Sequence, residues 1–245
     1  MPKQILVLQL RPENDASDEE FEAIVKFSKK PLDLFQRIRM ERNELTSELN
    51  LRDYCAVIVG GGPSNVSADD SNKYPEQKIF EPKLRKLIDE IIDKDFPYLG
   101  ACYGLGILAQ QLGGVVDNTY SEEVGAVEIQ LTNSVLNDVV FKDIDLNFYA
   151  YVGHKEAVEE LPNNVSVIGT STTCPVQAIK YKANIYATQF HPELDHPTLA
   201  SRIDIYKNHG YFKPDDSEQL KQEAGKYPVT EPMKILKNFV DHYSN

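Results

Sequence analysis

The chain has 245 residues, enough for one α/β domain with a substantial core and few for two full ones. Its 26 Lys and Arg against 38 Asp and Glu leave a net charge of −12, which argues against a general nucleic-acid surface, because such a surface needs basic residues to offset phosphate repulsion. The N-terminal apolar run is too short for a secretory signal and no stretch approaches the ~20 apolar residues of a membrane span, so a cytoplasmic protein is expected, with neither membrane nor nucleic acid as partner.

Residues 4–10 read as a first strand, 18–29 as a helix with acidic residues in its first turn, and 35–40 as a second, alternating strand. A third strand spans 54–59. Its apolar run Ala56-Val57-Ile58-Val59 empties into Gly60-Gly61-Gly62-Pro63-Ser64. Three glycines leave backbone N–H groups bare and able to approach a ligand closely, which suits an oxyanion hole; a plain glycine-rich turn would read the same way. A phosphate loop is excluded, since no Gly-Lys followed by Ser or Thr comes after four spacer residues. A polar loop over 64–74 leads to a helix over 82–93, with Leu84, Leu87, Ile88 and Ile91 on one side.

The segment Phe96-Pro97-Tyr98-Leu99-Gly100-Ala101-Cys102-Tyr103-Gly104-Leu105-Gly106 delivers one cysteine between two glycines and then turns helical over 105–112. That pattern displays a nucleophile at a sharp strand-to-helix elbow, where flanking residues crowd each other and a Cβ would clash. Cys102 then sits at a helix N-terminus, where the macrodipole favours the thiolate. Residue type alone points instead to a buried structural cysteine. Cys55, within a strand, and Cys174, before Pro175, have no flanking glycines and read as structural. Three cysteines without paired spacing indicate neither a disulfide framework nor a zinc motif, and no metal or cofactor is expected.

Further strands are expected near 125–131, 148–152, 166–170, 176–181 and 184–190, some antiparallel, with a hairpin at 181–184. The last runs into His191-Pro192-Glu193. Proline keeps the residue before it extended, and in an extended chain positions i and i+2 point the same way, so His191 and Glu193 can share a face. A carboxylate beside an imidazole fixes its tautomer and stabilises its charged form. His-x-Glu is common in solvated turns too, and its weight here comes from lying at a strand's carboxyl end. Helices over 197–208, 217–225 and 231–242 follow; Ile235, Leu236, Phe239 and Val240 form a stripe that docks the last one on the parent domain. His196, His209 and His242 have no companion motif.

Together these pieces resemble the class I, triad-type glutamine amidotransferases. In that family a Gly-x-Cys-x-Gly elbow supplies the nucleophile, a His-Pro-Glu element the base and its orienter, and a Gly-Gly-Pro loop part of the oxyanion site. The matching residues here are Gly100 to Gly104 around Cys102, then His191 and Glu193, then Gly61-Gly62-Pro63, in the family's order over roughly residues 1–200. Glu123-Val124-Gly125 is similar to the family's Glu-x-Gly, and Val152-Gly153-His154-Lys155-Glu156 to its glutamine-contacting segment.

The resemblance implies a flavodoxin-like three-layer α/β sandwich with a central, mainly parallel sheet and some antiparallel edge strands. It implies a single domain over 1–245, its core over about 1–200 and a helical extension over about 201–245. Cys102, His191 and Glu193 would be catalytic, Gly62 and Tyr103 would form the oxyanion hole, and Gly61, Gly153, His154 and Lys155 would contact substrate. The substrate would be glutamine or another γ-glutamyl compound, and a separate ATP-dependent synthetase, as in GMP synthase-type systems, could receive the ammonia. One departure stands out: many members carry glutamine four residues after the nucleophile, where this chain has Gly106. A γ-glutamyl peptidase or hydrolase, or a catalytically silent regulatory protein, are the rival readings.

Overall fold

A computed structural model of the chain describes residues 3–45 and 49–244. The first half runs β1 (Gln4–Gln9), α1 (Asn14–Ser28), β2 (Phe35–Arg39), β3 (Tyr54–Val59), α2 (Pro75–Lys94), β4 (Tyr98–Ala101) and α3 (Tyr103–Gln111). Six strands follow in the middle: β5 (Val115–Asp117), β6 (Glu122–Leu131), β7 (Asn147–His154), β8 (Ala157–Glu160), β9 (Ser166–Thr170) and β10 (Ala178–Tyr181). The last part holds β11 (Ile185–Thr188), α4 (His196–Tyr206), α5 (Ser217–Ala224) and α6 (Glu231–Tyr243).

Nine of the strands form one sheet in the order β2-β1-β3-β4-β11-β10-β9-β6-β7. Strands β2, β1, β3, β4 and β11 are parallel, and the rest pair antiparallel. This is the mixed α/β sandwich expected. The expected hairpin joins β10 to β11, with Lys182 at its turn in the left-handed region. Alternation along the buried strands feeds two cores. Leu6, Leu8, Val57 and Val59 face one side, with Leu84, Leu87 and Ile88 of α2 and Leu105 and Leu108 of α3. Ile5, Val7, Ala56 and Ile58 face the other, with Ile24 of α1 and Ile235, Leu236, Phe239 and Val240 of α6.

Two helix starts and one strand pair differ most from expectation. Helix α2 starts at Pro75 rather than at residue 82, so Pro82 lies inside it, where proline costs about 3 kcal/mol. Phe80, Gln77 and Glu81 are all buried in that extra length, and tertiary packing outweighs the local preference. Helix α1 begins at Asn14, because its first turn buries Ala16 and Ser17. The short antiparallel pair β5 and β8, of three and four residues, was too brief to show as a pattern.

Parallel order places the carboxyl ends of β1, β3, β4 and β11 along one edge of the sheet. Arg11, Gly60-Gly61-Gly62, Cys102 and Gln189-Phe190-His191 follow those four ends. Open α/β sheets bind ligands at that edge, near the point where strand order reverses, here between β1 and β3.

Candidate active site

Strand β4 is buried along its whole length, and Cys102 breaks from it with φ 52° and ψ −100° to become the N-cap of α3. A side chain at such dihedrals is strained, and the surroundings hold it there. The Cys102 N–H donates to Thr188 O at 2.8 Å, and its carbonyl accepts from Leu105 N–H and Gly106 N–H. The flanking glycines are sterically required: a Cβ on Gly100 would stand 2.8 Å from Gly104 carbonyl carbon, and one on Gly104 2.8 Å from Val59 O. Beneath them the buried Tyr98 hydroxyl donates to Gly104 O at 2.8 Å.

His191 is anchored by its N–H to Tyr151 O at 3.1 Å, and its ring Nδ1 donates to Glu193 Oε1 at 2.8 Å. The same carboxylate oxygen accepts from Arg202 Nη1 at 3.2 Å, and all three side chains are buried. Gly61 locates the imidazole relative to the thiol. A Cβ on it would lie 2.7 Å from His191 Cε1, 3.0 Å from Arg11 Nη2 and 3.4 Å from Cys102 Cβ. All three groups therefore surround one point, and only glycine leaves it free. No hydrogen bond joins the sulfur to the imidazole among the described residues, which is common before a substrate tightens such a site.

Burial pushes the Cys102 thiol up to about 12, opposed by Arg11 and by the Tyr103 N–H and reinforced by Glu156 and Glu193. Burial also lowers His191, although Glu193 pulls the other way, so the imidazole is neutral near pH 7. Burial alone would raise Glu193, but His191, Arg202 and Arg11 hold it well below the usual carboxylate range. A neutral base beside a protonated thiol is a pair that exchanges one proton on demand.

The remaining expected residues cluster around this centre. Gly62 borders a cavity of about 60 Å³ together with Cys102, His191, Arg11 and Arg202, and a recess of about 20 Å³ together with Cys102, Gly106 and Glu156. No acceptor takes the Gly62 N–H among the described residues. Gly153 borders both spaces, and His154 and Lys155 border the recess. His154 is fully engaged, its Nε2 with Glu122 Oε2 at 2.7 Å and its Nδ1 with Glu156 O at 3.0 Å. Lys155 Nζ donates to His209 O at 3.0 Å and lies 4.3 Å from the ring centre of Tyr211, which borders both spaces.

Three residues at the site carried no assigned role in the sequence reading, Arg11, Arg202 and Tyr211, whereas Glu156 closes the segment similar to the family's glutamine-contacting one. Arg11 bonds Glu20 Oε1 at 2.8 Å and Tyr206 OH at 3.3 Å, the latter 195 positions away. Arg11 could have been singled out as the residue beyond the carboxyl end of β1; the other two have no local signal. The C-terminal part does more than dock, because α4 and the turn after it wall the site. No group of three or more His, Cys, Asp or Glu among the described residues could hold a metal ion.

A family model described as glutamine amidotransferase class-I matches residues 32–207, well over half of the chain. The chain belongs to this family. Among similar proteins, the glutamine-hydrolysing GMP synthases of Thermosipho africanus and Thermosipho melanesiensis are 33% and 34% identical to this amidotransferase over 149 residues, 60% of its length. The chain spans only 26% of the length of those synthases. A solved glutamine amidotransferase from Thermotoga maritima superposes on the amidotransferase with a TM-score of 0.75 at 24% identity, covering 99% of both chains. One from Methylobacillus flagellatus gives 0.73 at 17% identity, covering 99% of this chain and 94% of its own, so both support the fold. No helix among the described residues is long and apolar enough to cross a membrane.

Proposed function

We propose that this amidotransferase hydrolyses the side-chain amide of glutamine to glutamate and ammonia through a γ-glutamyl thioester on Cys102. His191 takes the thiol proton as sulfur attacks the carbonyl carbon, and the N–H groups of Gly62 and Tyr103 receive the oxyanion, each worth about 2.7–4 kcal/mol. His191 returns the proton to the departing ammonia and then removes one from the water that cleaves the thioester. Glu193 holds the imidazole throughout, and Arg202 holds Glu193. The observation that carries this reading is the gathering of Cys102, His191 and Arg11 around Gly61.

Ammonia made this way is useful only to an acceptor site. The relatives named GMP synthase are nearly four times as long as the matching stretch, and a separate ATP-dependent synthetase subunit would supply here what the rest of those chains supplies there. One observation favours a second reading, γ-glutamyl amide hydrolysis with a larger leaving amine. The cavity beside His191 has apolar walls from Val124, Val152, Leu194, Leu199, Ile203 and Phe212, which ammonia does not need.

One assay tests both, with initial rates on glutamine and on γ-glutamyl-leucine for wild type and Cys102→Ala, alongside peptide mapping after treatment with a glutamine-derived electrophile. Wild type is expected to turn over glutamine and to be labelled at Cys102. The variant should keep its fold and lose at least about 10³-fold in rate. Wild-type turnover by Cys102→Ala overturns the nucleophile; turnover of the γ-glutamyl amide alone selects the second reading.

A further inference from the structure

Cys102, Gly62, Gly153 and Tyr211 border both spaces at the site, and the two spaces differ in what else they hold. The recess of about 20 Å³ adds Tyr103, an expected oxyanion donor, together with His154 and Lys155. The cavity of about 60 Å³ adds His191, Arg11 and apolar side chains that include Leu199, Ile203 and Phe212. In amide hydrolysis through Cys102 the imidazole protonates the leaving nitrogen, so the departing half of a substrate occupies the cavity and the γ-glutamyl half the recess.

Arg11 brings one unspent end to that cavity. Its Nε donates to Glu20 Oε1 at 2.8 Å and its Nη1 to Tyr206 Oη at 3.3 Å, and the Tyr206 hydroxyl in turn donates to Glu13 Oε2 at 2.9 Å. Nη2 donates to nothing among the described residues, although Arg11 is only 5% exposed. The position of a Cβ on Gly61, 3.0 Å from this nitrogen, is also 2.7 Å from His191 Cε1, so the free N–H groups stand beside the imidazole. Arg202 borders the same cavity but spends Nη1 on Glu193, and its other nitrogens are sealed in protein. A buried guanidinium end without an acceptor, among apolar walls, calls for an anionic oxygen from a ligand.

We infer that the cavity is a subsite for a leaving amino acid, its carboxylate on Arg11 Nη2 and its apolar side chain against Leu199, Ile203 and Phe212, so that γ-glutamyl derivatives of apolar amino acids are substrates. The inference rests on the amide-hydrolysis reading for the placement of the γ-carbonyl at Cys102. In such a compound two bonds separate the amide nitrogen from the carboxylate carbon. The nitrogen that His191 protonates and the anion that Arg11 receives are thus a short step apart, as the two side chains are. Ammonia would use neither the cation nor the apolar walls. The step is ordinary acyl transfer: the sulfur–carbon bond forms, the amide C–N bond breaks, the thiol proton passes through His191 to the departing nitrogen, and water then releases glutamate. The carboxylate also sets negative charge beside the imidazole at the stage when His191 is protonated and must donate.

Initial rates on γ-glutamyl-leucine and γ-glutamyl-isopentylamide test this, because the second is the first without its leaving-group carboxylate. Wild type is expected to favour γ-glutamyl-leucine in kcat/KM by about 100-fold, and Arg11→Met to erase most of that ratio. Arg11 also acts on the Cys102 thiol, so the ratio within each protein is the readout rather than the absolute rate. Equal rates on the pair in wild type, turnover of glutamine without γ-glutamyl-leucine, or equal losses on both in Arg11→Met overturns the inference. If that variant fails to fold, the pair on the wild-type protein still decides. Failure of the hydrolysis reading looks different, as no turnover of any γ-glutamyl compound, glutamine included. Calorimetric titration of the Cys102→Ala chain with leucine and isopentylamine then decides the subsite: tighter binding of leucine supports it, and equal binding or none overturns it.

Discussion

Arg202 reaches the proposed triad from α4 and spends one nitrogen on it, Nη1 to Glu193 Oε1 at 3.2 Å. Its Nε and Nη2 have no hydrogen-bond partner among the described residues, with Nη2 standing 3.7 Å from Glu20 Oε1. A buried guanidinium so sparsely bonded costs desolvation and returns little stability, which fits a role in positioning. It fixes the rotamer of Glu193 and opposes protonation of His191. Arg202→Lys keeps the charge and loses the planar fork that spans Glu193 and Glu20. It should lower kcat on the order of 10²-fold through misplacement, with a much smaller change in KM. Arg202→Met removes the charge as well, so the His191 pKa rises and the acid limb of the kcat/KM profile moves to higher pH. A profile in Arg202→Met that scales down without shifting would mean that the arginine acts on packing alone.

The elbow joining β4 to α3 is the element on which the site hangs, and its sterics are testable through the glycines. An alanine at 100 would place a methyl 2.7 Å from Tyr98 Oη and 2.8 Å from Gly104 backbone, atoms that cannot retreat without moving the start of α3. Overpacking of this kind costs about 1–3 kcal/mol, and at about 2–4 °C per kcal/mol for a chain of this size Gly100→Ala should melt several degrees lower. Gly125→Ala serves as the control, since no atom of the described residues lies within 4 Å of its added Cβ. Equal melting temperatures for the two variants would remove the steric argument. This element was legible in the sequence because everything that defines it lies within five residues, and the His191 to Glu193 pair was legible for the same reason. The walls of the site were not. Arg11 to Tyr206 and Glu156 to Ser67 join positions 195 and 89 apart, and no local spacing encodes them. The start of α2 was hidden differently, by a proline whose local preference is opposed by burial of Phe80 and Leu84 on the core face.

Across the whole molecule the shifted groups set a direction for stability against pH. His191 is lowered by burial, so between its folded value and the ordinary value of about 6.5 the unfolded chain binds a proton that the native chain refuses, and stability falls as pH drops through that window. Four buried or half-buried carboxylates act in the same direction at lower pH. Glu81, Glu122, Glu193 and Asp195 are held below their ordinary values by Arg85, His154, His191 and Lys26 respectively, against the opposing effect of burial. Their contribution is full above about 4.3 and is lost as pH falls toward their folded values. Glu41 and Glu156, raised by burial, have the opposite sign and lose stability as pH climbs through their folded values, but they are fewer, and the buried thiols of Cys102 and Cys174, raised in the same way, take stability away only above about pH 8.5. The net expectation is a melting temperature that is level between about pH 7 and pH 8, declines from about pH 6.5 and falls more steeply below about pH 4.5, measured by thermal unfolding in matched ionic strength. Substituting His191→Phe should flatten the upper part of that decline while leaving the lower part in place. A melting temperature that stayed level down to pH 4, or rose on acidification, would show that the buried carboxylates and His191 titrate in the folded chain as they do in the unfolded one.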